Sequence, residues 1–95
     1  MKGTTMSIVT ANPLVHLSIL AASHVTATFD TESGTRYTVV ARPSVGVVLV
    51  CDNRPGWVFE GERLEIRNGA VYLLHRNGRT IAHTTQVVSV NILTN

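Results

Sequence analysis

Several residue types are scarce in this 95-residue chain, and each scarcity narrows what the protein can be. The single cysteine, Cys51, allows no disulfide within the chain, which fits a reducing, cytoplasmic location. No apolar run approaches the roughly 20 residues of a membrane-spanning helix, so we expect no integral membrane protein. Charged residues make up only 15% of the chain, so no basic block or acidic tail is present.

Catalytic and metal-binding patterns are also missing. Cys51 ends an apolar run, where a small buried hydrophobic residue is the usual occupant, and no phosphate-cradling, dinucleotide or nucleophile-elbow motif occurs. The spacing of His16, His24, His75 and His83 matches no metal-ligand motif. We therefore expect no enzyme, no metal site and no cofactor. A pocket that held His83, Cys51 and a carboxylate would revive an enzymatic interpretation.

What the chain has in abundance is valine and threonine, both β-branched residues that suit pleated, half-buried surfaces. With 44% hydrophobic residues, 95 residues suffice for one domain without metal or disulfides. We predict a single all-β domain, a small antiparallel barrel or sandwich. Residues 1–24 would be an N-terminal extension and residues 25–93 the barrel core.

Two interpretations compete for residues 14 to 22. Asn12 followed by Pro13 suits the start of a helix. However, Val15, Leu17 and Ile19 alternate with polar residues, which is the period of a strand, and a helical wheel scatters them. The strand is slightly favoured. The same apolar segment is too interrupted, and its start carries too little charge, for us to expect a secretory signal.

The stretch from Glu62 to Leu93 predicts a three-stranded meander and a closing strand. Asn68-Gly69 and Asn77-Gly78 each stand between apolar runs, and Asn-Gly is the strongest short-range hairpin signal. A two-residue loop at Asn68-Gly69 places four aliphatic side chains on one inward face: Leu64, Ile66, Val71 and Leu73.

The second turn of the meander can have two lengths. A two-residue loop would place Ile81 on the outer face, whereas a three-residue loop at 76–78 places it opposite Leu73, inside the core. We therefore predict the longer, bulged turn with Gly78 left-handed. The same register places His83 opposite Val71, on the core side.

The first half of the chain predicts a further hairpin and a buried strand. A three-residue loop at 32–34 sets Phe29 opposite Tyr37 and Asp30 opposite Arg36, with the apolar residues sharing one face. The run Val45–Cys51 is almost unbroken in its apolar character, which predicts a strand covered on both faces, central or at a subunit contact.

The outer face of the meander is the best candidate binding surface. It combines arginine, tyrosine and an exposed leucine, the composition of interface hot spots. The alternative is that another strand, such as the N-terminal segment, covers Tyr72 and Leu74. A tryptophan is more often a core anchor than a ligand platform, but the position of Trp57 after the Pro55-Gly56 turn places it near a rim. The candidate partner-binding residues are Arg63, Arg67, Tyr72, Leu74, Arg76, Arg79 and Trp57.

The tight turns, the short corner at 84–86 and the closing strand make residues 25–93 resemble the organisation of SH3-like small barrels. Proline-rich ligands are not expected, because aromatic residues are too few to line a groove. The short length, the preference for arginine over lysine and phrases such as Ser33–Tyr37 and Gly78–Val88 resemble small proteins of actinobacterial phages. That resemblance implies an accessory protein that acts by binding.

Together these observations predict a non-catalytic module that binds a host or phage protein, with its own copies as a second candidate partner. A nucleic-acid-binding small barrel is one alternative, but seven arginines spread singly along the chain are more typical of a solvated surface. A structural or assembly component of a virion is the other alternative.

Overall fold

The computed structural model describes the backbone of residues 4–9 and 16–94 and the side chains of residues 18–93. Within these residues nine strands form one antiparallel sheet, which confirms the predicted all-β fold. One 3-10 turn, Ala21–Ser23, follows the second strand. The strands are β1 (Thr4–Val9), β2 (His16–Leu20), β3 (Val25–Thr31), β4 (Arg36–Arg42), β5 (Gly46–Cys51), β6 (Val58–Gly61), β7 (Arg63–Arg67), β8 (Ala70–Leu74) and β9 (Thr80–Thr94).

The long strand β9 divides the sheet into two layers. Residues 80–86 of β9 pair with β8, and residues 87–94 pair with β3. Both pairings contain register shifts. Such irregularities bend a strand and increase its twist. The first layer contains β3, β4, β5 and β6 with β1 and the end of β9; the second contains β2, β7, β8 and the start of β9.

The hydrophobic core fills the space between these layers. Phe29, Val39 and Leu49 of the first layer and Leu64, Val71 and others of the second are inaccessible to solvent. All belong to one cluster. Burial of this apolar surface is the main driving force that holds the two layers together.

The predicted register at Asn68-Gly69 is confirmed. Arg67 pairs with Ala70 and Ile66 with Val71, and both turn residues have positive φ, 50° at Asn68 and 83° at Gly69. This is the geometry of the turn that matches the right-handed twist of hairpins. All four predicted inward aliphatic residues are fully buried.

The hairpin from β3 to β4 also has the predicted register. Phe29 pairs with Tyr37, and Asp30 pairs with Arg36. Arg36 Nε donates a hydrogen bond of 2.7 Å to Asp30 Oδ1. The loop 32–34 is closed by the Thr31 N–H, which donates to the Thr35 carbonyl oxygen at 3.0 Å.

The prediction for the turn from β8 to β9 was right about the loop and wrong about the strand that follows. His75 N–H donates to the Arg79 carbonyl oxygen, Gly78 has a φ of 89°, and Leu74 pairs with Thr80, as a three-residue loop requires. A bulge then shifts the register, so that Ala82 and not Ile81 pairs with Leu73.

The bulge has two consequences. Ala82 is buried and Ile81 only half-buried, because the smaller residue takes the inward position. His83, predicted to lie on the core side opposite Val71, instead pairs with Tyr72 and is exposed.

β5 lies centrally in the first layer, between β4 and β6, but only one of its faces is covered within the chain. Coverage of the other face by a subunit contact stays a prediction. Val47, Leu49 and Cys51 are buried, but Val48 and Val50 between them are half-buried. Only the inward side chains join the core that the second layer completes. The outward side remains accessible.

The N-terminal residues take part in both layers. Residues 16–20 form a strand, which confirms the favoured interpretation for that part of the segment, and β2 pairs with β7. β1 pairs with the end of β9. Asn12 and Pro13, on which the helical interpretation depended, lie outside the described residues.

Candidate protein-binding face

The outward side of the second layer carries the polar residues that alternate with its core residues. On β7, Leu64 and Ile66 point inward and are buried, so Arg63, Glu65 and Arg67 point outward. We call this surface the second-layer face. It comprises Ser18, Leu20, Arg63, Glu65, Arg67, Tyr72 and His83.

The strand registers place these residues in rows across the layer. Ser18 of β2, Glu65 of β7, Tyr72 of β8 and His83 of β9 form one row of directly opposed partners. Leu20 pairs with Arg63 at the edge and is 50% exposed. Directly opposed side chains are the closest neighbours on a sheet surface, so this row forms one continuous contact surface.

Glu65 is the electrostatic centre of the face. Arg63 Nε donates to its Oε2 at 2.7 Å, and Arg67 Nε donates to its Oε1 at 2.9 Å. The hydrogen bond from Arg63, followed by that from Arg67, holds the pKa of the Glu65 carboxyl below its usual range. At neutral pH one carboxylate therefore orients two guanidinium groups.

An aromatic stack adjoins these ion pairs. The rings of Tyr72 and His83 are stacked, with centroids 5.7 Å apart and an interplanar angle of 29°. The guanidinium carbon of Arg67 lies 5.8 Å from the centroid of the Tyr72 ring, within the range of a cation–π interaction. Glu65 and Tyr72 thus hold Arg67 from two sides.

The structure brings together only some of the predicted partner-binding residues. Arg63, Arg67 and Tyr72 share the second-layer face, whereas Leu74 is fully buried, which corrects the prediction of an exposed leucine. The physical reason is the close approach of the corner between β6 and β7. Glu62 N–H donates to the Leu74 carbonyl oxygen at 2.8 Å, so this end of β8 is enclosed.

Trp57 belongs to a separate aromatic group in the first layer. Its ring makes edge-to-face contacts with Tyr37 and Phe59, with centroid distances of 5.2 and 4.9 Å. The indole is half-buried and packs against the core. Trp57 is therefore a core-edge residue that lies apart from the second-layer face.

Arg76 and Arg79 lie in or beside the turn between β8 and β9. Arg76 lines an open cleft of about 290 Å³ together with Glu60, Glu62 and His75. Arg79 is exposed, and its backbone N–H donates to Asn77 Oδ1 at 2.9 Å. The cleft contains charges of both signs but no buried charged group that would define a ligand.

Four members of the face were not among the predicted partner-binding residues: Ser18, Leu20, Glu65 and His83. Leu20 could have been found, because the alternation that turns Ile19 inward turns its neighbour outward. His83 could not, because the bulge that reverses its side has no signature in the adjacent apolar pair Ile81-Ala82. Either residue of that pair can fill the core position.

The face offers charged, aromatic and apolar contacts for binding. Among the described residues, no group of three or more His, Cys, Asp and Glu side chains is placed to hold a metal ion. Cys51 is buried in the first layer, where its Sγ donates to Asn53 Oδ1 at 3.1 Å.

Comparison with known proteins identifies no relatives. No family model, no curated protein and no solved structure matches the chain. Within the part of the chain that the structure describes, none of the helical segments has the length and apolar character needed to cross a membrane.

Proposed function

We propose that this protein is a non-catalytic binding module whose protein partner docks on the second-layer face. The supporting observation is a connected set of contacts in which Glu65 binds Arg67, Arg67 lies over the Tyr72 ring, and Tyr72 stacks on His83. Long side chains that are already held in place lose less conformational freedom when a partner binds. Tyrosine and arginine are also the residue types that contribute most at protein interfaces.

The charge balance of the face favours a protein over a nucleic acid. Arg63 and Arg67 share one carboxylate, so phosphate groups would have to compete with Glu65 for both guanidinium groups. The exposed Leu20 adds an apolar contact that a phosphate backbone would not use. The partner surface that fits best has an apolar side chain to cover Leu20 and Tyr72 and a carboxylate that reaches Arg67, which is 48% exposed.

The biological setting that we propose is the cytoplasm of an actinobacterial host, where a phage accessory protein would bind a host or phage protein. The resemblance of residues 33–37 and 78–88 to small phage proteins supports this setting. A virion assembly component would use the same face against a capsid or tail protein.

Affinity capture from an actinobacterial extract tests the proposal. Tyr72→Ala and Leu20→Glu should each reduce recovery of specific partners at least ~10-fold, about 1.4 kcal/mol, because they remove the central ring or place a charge at the apolar edge. Val58→Glu is the matched control, because Val58 is 51% exposed on an edge strand of the first layer and Leu20 is 50% exposed on an edge strand of the second.

Equal recovery by the wild type and both face variants, with all proteins folded by circular dichroism, would reject the second-layer face. Binding to oligonucleotides that weakens steeply as salt rises would instead favour the nucleic-acid alternative, because neutralised phosphates release counterions.

A further inference from the structure

The outward side of the first layer carries a surface made mostly of threonine and valine, with Glu60 on its edge strand β6. Its members alternate with the core residues Ala27, Phe29, Val39, Val47 and Leu49, which are buried. We call this surface the first-layer face. It comprises Thr26, Thr28, Thr38, Val40, Val48, Val50, Val58, Glu60, Asn91 and Leu93.

The apolar part of this face is contiguous. Val40 pairs with Val48, and Val50 pairs with Val58, so four valines occupy adjacent positions on β4, β5 and β6. Val58 is 51% and Leu93 39% exposed, and the other valines are half-buried. A solvent-facing side of an antiparallel sheet is normally polar, and a contiguous apolar patch on such a side marks an interaction site.

We propose that the first-layer face docks on the same face of a second copy, about a two-fold axis that runs parallel to the strands between β4 and β5. Two sheets that pack in this way lie about 10 Å apart with their strands within about 30° of each other. The axis superposes β4 of one copy on β5 of the other. Val40 of each copy then lies over Val48 of the other, and Thr38 lies over Val50 of the other.

Charge complementarity supports a second copy as the occupant. The row at one end of the face contains Arg36 on β4 and Asp52 just after β5. The proposed axis places Arg36 of each copy opposite Asp52 of the other, so two attractive contacts form at once, in addition to the bidentate pair that Arg36 makes with Asp30 within each chain. Within one chain Asp52 accepts a hydrogen bond of 2.8 Å from the Thr38 hydroxyl, which keeps the carboxylate on this face.

Shape supports the same arrangement. A groove of about 220 Å³ runs between β3 and β9 and is lined by Thr26, Thr28, Asn91 and Leu93. The axis superposes β6 on β3 of the other copy, so the protruding Val58 falls on Thr28 beside this groove. Each copy therefore supplies both the projecting side chain and the groove that receives it, as an isologous interface requires.

The area of the face determines how strongly we expect two copies to associate. The four strands that the axis superposes, about 4.8 Å apart over a length of about 20 Å, give roughly 400 Å² per copy and about 800 Å² in total. Interfaces of that size belong to weak, transient complexes, so we expect a dissociation constant in the micromolar range. The inference is independent of the proposed function, because it concerns the opposite layer.

Sedimentation equilibrium of the full chain between about 5 µM and 1 mM tests the inference. The wild type should pass from monomer to dimer over this range. Val58→Glu should raise the dissociation constant at least ~10-fold, because it places two carboxylates in the interface, while the matched Leu20→Glu variant should dimerise as the wild type does. A wild type that stays monomeric, or equal effects of the two variants, would overturn the proposal.

A measurement on the unmodified chain guards against misfolded variants. In a dilution series of ¹⁵N-labelled wild type, the amide signals of Thr28, Thr38, Val50 and Val58 should shift with concentration. Shifts concentrated instead at Arg67 and Tyr72 would place self-association on the second-layer face and overturn the inference. Because Leu20→Glu and Val58→Glu should affect partner capture and dimerisation in opposite patterns, the two proposals can fail separately.

Discussion

The two outward faces of this small sheet differ in chemistry, although inward and outward side chains alternate along the strands of both layers. The second-layer face has long side chains that contact one another: Arg63 and Arg67 bind Glu65, and Tyr72 stacks on His83. The first-layer face has mostly short β-branched side chains, with charge at its ends and at Glu60 on the edge strand β6. In both layers the inward positions hold buried apolar side chains. The outward residues alone therefore make one face suited to polar recognition and the other suited to sheet-on-sheet packing.

Leu74 provides the strongest test of this comparison, because it occupies an outward position opposite Arg63 and yet is fully buried. Leu74→Ala should lower the free energy of unfolding by about 3 kcal/mol, the usual cost of a cavity at a buried leucine. Leu93→Ala, at the 39% exposed leucine of the first-layer face, should cost less than about 1 kcal/mol. Urea denaturation measures both. Similar losses would mean that Leu74 belongs to the open surface after all.

The corner that encloses Leu74 gives the next largest effect. A Cβ at Gly61 would lie 2.8 Å from the Leu74 carbonyl oxygen and 2.9 Å from Leu73 Cδ1. Gly61→Ala should therefore destabilise the protein by about 2 kcal/mol through overpacking. Gly56→Ala is the control: its Cβ meets nothing within 4 Å, and only its positive φ of 94° opposes alanine, at about 1 kcal/mol. A thermal unfolding midpoint for Gly61→Ala at or above that of Gly56→Ala would contradict the close approach.

The smallest effect concerns the ion pairs of the second-layer face. Glu65→Gln should lower stability at pH 7 by about 0.5 kcal/mol, because partly exposed pairs are screened by water. The folded pKa of Glu65 is lowered, so this stabilisation is complete above the unfolded pKa and is lost as pH falls through the folded pKa. The wild type and Glu65→Gln should therefore converge in urea midpoint at acidic pH.

Asp30, at one end of the first-layer face, provides a comparison for the titration of Glu65. The hydrogen bond from Arg36 lowers the pKa of its carboxyl, so Asp30→Asn should converge with the wild type on acidification in the same direction. Parallel pH profiles of the wild type and Glu65→Gln, without convergence, would show that the Glu65 pairs do not contribute in solution.

Sequence patterns predicted the strand register wherever only one loop length allowed a favourable turn and also placed the apolar side chains on the core face. At Asn68-Gly69 and at residues 32–34, a slip of one residue would have turned an aromatic or several aliphatic side chains outward, so burial and turn chemistry agreed. At residues 81–82 both choices placed an apolar residue inward, and the bulge could not be predicted. That single extra residue moved His83 from the core to the second-layer face.

Alternation along the chain was sufficient to divide β3, β4, β7 and β8 into inward and outward residues, because successive side chains of a strand point to opposite faces. Whether an outward residue meets water or protein depended on the tertiary structure. The corner at Gly61 enclosed Leu74, and packing of the second layer on only one side of β5 left Val48 and Val50 accessible. The physical reason is that side-chain direction is a local property of the backbone, whereas burial depends on residues distant in the chain.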